Sequence, residues 1–290
     1  MTIIYLILAI LPLICSIALK VAFIPASEGI DIAGAYIYFT IDLPFGGLPI
    51  TESQVNSWAV IISLFFFCLF LTHGLKTKNI GKRQIIAEFI VEKVEGLVHA
   101  NMGDMFKGFA PFVAAIMGLS AMTSLQSLLG LYPATSDLNV VAGWAILVFI
   151  LITYYKMKAG PLYYMKGLTE PIPFMTPINI IGEFATPVSM ALRHYGNVIS
   201  GLVISVLIGS ALSGASDIIF GFLPGALSGV PLRIGLPAIF SIYFDLFSGC
   251  LQAFIFAMLT MIYVSGAFPV DEYFRRKALK KAKLEAKATK

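Results

Sequence analysis

Charge is what this sequence lacks most. Asp, Glu, Lys and Arg make up only 12% of its 290 residues, while 58% are hydrophobic. Soluble domains ordinarily carry about 25% charge. Six windows contain none of the four: 1–19, 53–75, 108–136, 138–155, 194–216 and 246–270. A soluble fold of this size has no interior able to hide such runs, and several reach the roughly 20 residues that an apolar helix needs to cross hydrocarbon. The composition therefore excludes a soluble domain. Cysteine is also scarce: Cys15, Cys68 and Cys250 are odd in number, irregular in spacing and set in apolar windows. They imply neither a disulfide frame nor a metal site, and are expected to be buried as small apolar residues. The chain has no H-E-x-x-H, no paired Asp motif and no G-x-S-x-G, which argues against a membrane-embedded enzyme, and nothing in it asks for a cofactor. There is no internal repeat of the kind that inverted-repeat transporters carry.

What charge there is lies unevenly. Eight of the 20 Lys and Arg residues fall in the last sixteen positions, Arg275 to Lys290, directly after an apolar run. Such a tail suits a cytoplasmic anchor at the membrane surface better than a nucleic-acid arm. Residues 3–24 read as a first, retained apolar span. Residues 25–56, with Pro25, Pro44, Pro49 and Gly46–Gly47, read as a loop on the outer side. A span at about 57–75 begins at Trp58 and ends at Lys76, Lys78, Lys82 and Arg83, which sets that end in the cytoplasm. Over 82–101, Ile85, Ile86, Phe89, Ile90, Val94, Leu97 and Val98 form one stripe, so an amphipathic surface helix is expected. Spans at about 109–131 and 139–157 make a hairpin whose turn, Tyr132 to Asp137, faces outward. Prolines 161, 171, 173, 177 and 187 should restrict 160–187 to short helical pieces. Two long helices follow, at about 178–212 and 235–268, joined by an outer Gly- and Pro-rich loop. This gives an all-α polytopic membrane protein of five to six membrane helices plus one surface helix, divided into 1–56, 57–268 and a basic cytoplasmic tail, 269–290. Seventeen of the 20 basic residues then lie on the cytoplasmic side; Lys20 and Arg233 lie outside, and Arg193 lies between.

Arg193 is the anomaly. It interrupts an apolar helix with Met190, Ala191 and Leu192 before it and Val198 and Ile199 after. Placing an arginine at a helix centre costs at least about 2.5–3.5 kcal/mol, and such residues face a partner or a wet cavity. The ordinary alternative is an arginine that snorkels from a helix end, but here apolar sequence continues on both sides. Asn197 lies one turn on, and Ser200 and Gly201 two turns on, a polar or small run that would let another helix approach. In the last helix, Asp245 stands among Phe240, Ile242, Tyr243, Phe244, Leu246 and Phe247, and suits either the outer headgroup zone or an ion relay in an outward channel. Gln252, seven residues later, is expected on the same face about 10.5 Å along the axis. Glu183 precedes Arg193 by ten residues, about 15 Å down a helix. It fits an interfacial acid at the helix start or the lining of a cytoplasmic path.

The run Thr186-Pro187-Val188-Ser189-Met190-Ala191-Leu192-Arg193-His194-Tyr195-Gly196-Asn197 resembles the signature of the ATP synthase subunit a family, P-x-S-L-x-L-R-L-x-G-N. Leu251-Gln252-Ala253-Phe254-Ile255-Phe256, followed by Leu259, Thr260 and Tyr263, resembles that family's last helix. Glu170-Pro171-Ile172-Pro173-Phe174 and Pro177 to Ala185 also match its pattern. The resemblance runs from about 50 to 268. Two departures stand out. Leu202 occupies a place where many members carry an acid, and Asp245 stands where many carry His or Glu, so Asp245 is expected to supply the outer carboxylate. His194 replaces a usual Leu and is expected to be a packing or interfacial residue.

The resemblance implies a stator subunit of an F-type ATP synthase in a bacterial cell membrane, with its C-terminus in the cytoplasm. Its expected partners are the c-ring, the subunit b stalk, the rest of the complex and lipid, with no nucleic acid. The last two long helices would tilt along the rotor ring and provide two half-channels for an ion, with H⁺ expected. Arg193 would face the ring carboxylates. Asn197 and Gln252 would position the guanidinium, the carboxylate or water. Asp245 and Ser200 would line the outer path and Glu183 the inner one. The subunit itself would not be catalytic. A secondary transporter or channel, with Arg193 as an anion site, is the alternative.

Overall fold

The computed structural model describes residues 2–24, 34–44, 46–78, 81–170, 172–222, 239–240 and 242–288. Its described helices are α1 (Thr2–Phe23), α2 (Glu52–Thr72), α3 (Lys82–Met102), α4 (Ala110–Leu125), α5 (Leu138–Met157), α6 (Pro161–Thr169), α7 (Thr176–Ile219), α8 (Gly249–Ala267) and α9 (Val270–Ala288), with a π-helical turn, Ile242–Ser248, leading into α8. Among the described residues, six stretches are long and apolar enough to cross a bilayer: Ile3–Phe23, Glu52–Thr72, Asp104–Leu129, Leu138–Met157, Pro173–Ile219 and Ile242–Ala267. This is the expected polytopic helical protein.

The core gathers the inner faces of α3, α4, α5, α7 and α8. Val94 and Val98 meet Val113, Ile116, Val148, Met190, Phe256, Ala257, Met261 and Val264. Helix α4 lies along α8 and α5 along α7, while α1 packs along α2 at the edge. Most other apolar side chains point outward, as lipid permits. Close approach of α8 to α4 depends on Gly249, where an added Cβ would stand 2.8 Å from Ser124 Cβ. One end of the bundle carries the α4–α5 turn, capped by α2. There Ser53 Oγ donates to Asp137 Oδ2 at 2.6 Å, Asn56 Nδ2 donates to Tyr132 O at 2.9 Å, and Gln126 Nε2 donates to Asn56 O at 3.0 Å. The opposite end carries α6 and α9.

Several expectations are corrected. Part of the segment read as a loop forms an antiparallel hairpin, β1 (Ile37–Leu43) and β2 (Gly46–Thr51), with Leu43 opposite Gly46. Its strand character is visible in Ile37-Tyr38-Phe39-Thr40-Ile41, and Gly46 supplies a φ of 131° at the turn. Prolines do not hold 160–187 to short pieces: α7 starts at Thr176, runs through Pro187 and extends to Ile219. Pro177 falls in the first turn, where no N–H bond is lost, and Pro187 is buried, so tertiary packing supports the helix through it. Most of the outer-loop segment expected after 212, residues 223–234, lies outside the described residues, as does Arg233. The cysteines are not buried; Cys15, Cys68 and Cys250 are all exposed on outward helix faces. The α3 stripe divides, with Val94 and Val98 in the core and Ile85, Ile86, Phe89 and Ile90 exposed. The basic tail is helical through most of its length.

Gly249→Ala is expected to lower the thermal midpoint in detergent by an amount equivalent to about 1–3 kcal/mol of overpacking. Adding Ser124→Gly, which removes the facing Cβ, should restore most of the loss.

Candidate functional site

Arg193 sits 17 residues into α7, about 26 Å from its start. Its side chain is exposed and makes no hydrogen bond or ion pair among the described residues. The helix period explains its surroundings. Ser189, Arg193 and Ser200 come to the outer face with half-buried Gly196 between them, while Met190, His194 and Gly201 turn inward. The arginine thus stands on an outward strip of small and polar residues, flanked by exposed Val188, Leu192 and Ile204. His194, the neighbouring departure from the signature, is fully buried. Its ring meets Trp144 and Phe256 edge-on at centroid distances of 5.9 and 5.4 Å, and Nε2 lies 3.4 Å from Ser120 Oγ. It is a packing residue, as expected, and it anchors the inner face of the turn whose outer face presents Arg193.

At the α4–α5-turn end a cavity of about 380 Å³ opens between α7 and the π-helical turn. Asn197, Gly201 and Ser205 line it from α7, Ser124 and Ser127 from α4 and the turn that follows it, and Asp245 and Ser248 from the π turn. Ser248 Oγ donates to Asn197 Oδ1 at 3.0 Å, tying the last helix to the turn above Arg193. Gly201 lets Phe244 approach; an added Cβ would lie 3.5 Å from Phe244 Cβ.

The structure brings some of the expected site residues together and separates others. Asp245 and Asn197 do come together on one cavity. Gln252 does not share it: the side chain is buried, with only 4% of its surface exposed, and it faces the bundle interior. The physical reason is the π turn, whose wider i→i+5 winding breaks the seven-residue register assumed for a regular helix. Ser200 also fails to line the cavity, because it lies on the outer strip with Arg193 and Ser205 takes the inward place. Sequence reading passed over Ser124, Ser127, Ser205 and Lys20. The one signal available was small hydroxyls recurring in otherwise apolar spans.

The opposite end holds a second polar centre. Glu183 receives Lys156 Nζ at 2.5 Å and Tyr164 Oη at 2.6 Å, so α5, α6 and α7 meet at one carboxylate. Two cavities of about 650 and 240 Å³ share Lys156, Glu183 and Thr186 in their walls. Burial, reinforced by the hydrogen bond to Glu183, pushes the Tyr164 phenol up to about 12. It therefore stays protonated and keeps donating across the physiological range.

Polar cavities at opposite ends of a helical bundle, with an arginine on the outer face between them that has no partner among the described residues, define a multi-pass membrane protein with polar groups set into its apolar helices. The sequence profile of the ATP synthase A chain family matches residues 55–265. Similar proteins include the sodium ion specific ATP synthase subunit a of Propionigenium modestum, 28% identical over 81% of this chain and 81% of that one. The ATP synthase subunit a of Legionella pneumophila (strain Paris) is 29% identical over 78% and 90%. That of Bacillus subtilis (strain 168) is 31% identical over 79% and 96%. The chain belongs to the ATP synthase A chain family, and is a multi-pass subunit of the membrane sector that serves ion transport and ATP synthesis.

Lys156→Met leaves Glu183 short of its cation and is expected to destabilise the subunit. The double variant Lys156→Met/Glu183→Gln should be more stable than the sum of the two single changes implies, with a coupling of about 0.5–3 kcal/mol in a thermal double-mutant cycle.

Proposed function

We propose that this subunit is the non-catalytic stator of an F-type ATP synthase in the bacterial cell membrane, passing H⁺ to and from a ring of carboxylate-bearing c subunits. The observation that carries the reading is Arg193: a charge that cannot be lost, exposed mid-helix on an outward strip of small residues, with a cavity lined by polar groups toward each end of the same helix. The c-ring supplies the missing anion. Subunit b and the remaining stator bind elsewhere on the bundle, and the basic helix α9 lies on the cytoplasmic side against anionic headgroups.

In this mechanism the cavity at the α4–α5 turn is the outer half-channel. Hydroxyls of Ser124, Ser127, Ser205 and Ser248, the Asn197 amide and the Asp245 carboxylate relay a proton by hopping to a ring carboxylate near Asn197. A protonated ring site is neutral and enters lipid, where an ionised one is strongly disfavoured. After nearly a full turn it reaches the inner half-channel, where Glu183, Lys156 and Tyr164 line the exit. Deprotonated again, the ring site meets Arg193. At 4 Å and an effective dielectric of 20 the attraction is about 4 kcal/mol, enough to hold the site ionised there and to block passage of a protonated one. Arginine is suited to this because its pKa above 12 prevents it from relaying the proton itself. Gln252 packs behind the path rather than in it. The length of α7, about 66 Å against a hydrocarbon core of roughly 30 Å, fits a helix lying obliquely along the ring.

Arg193→Ala in the assembled complex is expected to abolish H⁺-driven ATP synthesis, while the detached soluble head still hydrolyses ATP; unchanged synthesis in proteoliposomes contradicts the assignment. Asp245→Asn is expected to assemble normally and to slow synthesis several-fold at limiting outer proton concentration. ATP made from an Na⁺ gradient alone contradicts H⁺ as the coupling ion.

A further inference from the structure

We propose that the Lys156–Glu183 ion pair is a gate in the inner half-channel, closed while Glu183 is ionised and opened each time a proton bound for the exit neutralises it. The proposal rests on reading the two cavities beside Glu183 as that half-channel.

The pair stands on a boundary. The larger cavity, about 650 Å³, lies at the α6 end of the bundle, with Tyr163, Tyr164, Glu170 and Asn179 in its wall. The smaller, about 240 Å³, lies deeper, toward the level of Arg193. Ile152 and Phe149 line it from α5, one and two turns before Lys156, and Ile262 and Tyr263 line it from α8. Among the described residues, the two walls have four in common: Lys156, Glu183, Thr186 and Ala267. Thr186 bonds to the Gly182 carbonyl of its own helix and Ala267 is apolar. The contact that divides one cavity from the other is therefore Lys156 Nζ on Glu183 Oε1, at 2.5 Å.

This contact responds to a proton. With only 14% of its side chain exposed, an ionised Glu183 is poorly solvated by water and holds the ammonium firmly. A neutral acid has no such hold. A proton released by a ring carboxylate into the deeper cavity binds Glu183 Oε1. Lys156 keeps its own proton and moves away on its flexible stem, and the cavities join. Glu183 then passes the proton to water in the larger cavity, its carboxylate is restored, and the pair closes again. Tyr164 serves as the fixed point. Its phenol, pushed up to about 12, donates to Glu183 Oε2 at 2.6 Å throughout and holds the carboxyl in place while Lys156 moves. The other titratable side chains in the two walls are Tyr163, Glu170 and Tyr263, none of them a second cation.

The test places a cysteine in the deeper cavity and asks whether the inner bath reaches it. Gly266→Cys suits this, because it lines that cavity and an added Cβ there meets nothing within 4 Å. Ile262→Cys, in the same wall, is the second site. Cys15, Cys68 and Cys250 are first changed to serine. The whole complex is set in proteoliposomes with its soluble head facing the bath, and a small impermeant methanethiosulfonate is added there at rest. Labelling is expected to be slow with the native pair and with Lys156→Arg. It should be several-fold faster with Lys156→Met and with Glu183→Gln, which copies the neutral acid. If Lys156→Met does not assemble, the neutral double variant Lys156→Met/Glu183→Gln carries the same expectation. Equal labelling rates in all these backgrounds overturn the proposal, as do cysteines that react in none of them. ATP synthesis separates this from the underlying reading. If the cavities are not the inner half-channel, Glu183→Gln leaves H⁺-driven synthesis untouched; if only the gate is wrong, Glu183→Gln slows synthesis while labelling stays equal.

Discussion

A guanidinium held in an apolar helix without an anion among the described residues is the constraint around which this subunit is organised. Inserting it costs at least about 2.5–3.5 kcal/mol, and a carboxylate at 4 Å returns about 4 kcal/mol at moderate dielectric. The two magnitudes nearly cancel, so the isolated chain bears a cost that an acidic partner can offset. The bundle holds this arrangement rigidly. His194, wedged between Trp144 and Phe256, and Met190, in the core, fix the inner face of the turn that presents Arg193 outward.

The polar groups that could serve an ion lie toward the two ends of α7. At each end a lysine is bound to a glutamate from another helix: Lys20 with Glu52 beside the cavity at the α4–α5 turn, and Lys156 with Glu183 beside the cavities at the opposite end. Between them, near Arg193, the inward side of α7 is closed by packed apolar and aromatic groups. On the proposed reading, an ion that enters one cavity crosses this gap on something that moves, as a stator acting on a rotor requires.

Much of this was legible in the sequence. The charge-free windows located the spans, and Arg193 with Asn197 on the next turn marked the helix that matters, because a strong penalty makes an intramembrane charge conspicuous. What was not legible depended on local departures from regular winding. The π turn at Ile242–Ser248 keeps Asp245 on the cavity but turns Gln252 into the core, and no pattern of residue types announces that change of register. Ser200 and Ser205 look alike in sequence, and only the packing of α7 decides which faces the cavity. Pro187 seemed to break a helix that tertiary contacts carry through it. Lys20 stood out only as a basic residue on the outer side, because its partners, Gly130 and Glu52, are distant in the chain and meet only once α1, α2 and the α4–α5 turn are assembled.

The most direct measurement is a structure of the assembled complex in a lipid bilayer, resolved well enough to place the Arg193 guanidinium against the rotor. A ring carboxylate about 4 Å or closer at mid-membrane depth, with the two cavities opening to opposite sides, is the expected result. A guanidinium lodged among headgroups, or facing lipid where no ring carboxylate passes, would contradict the account.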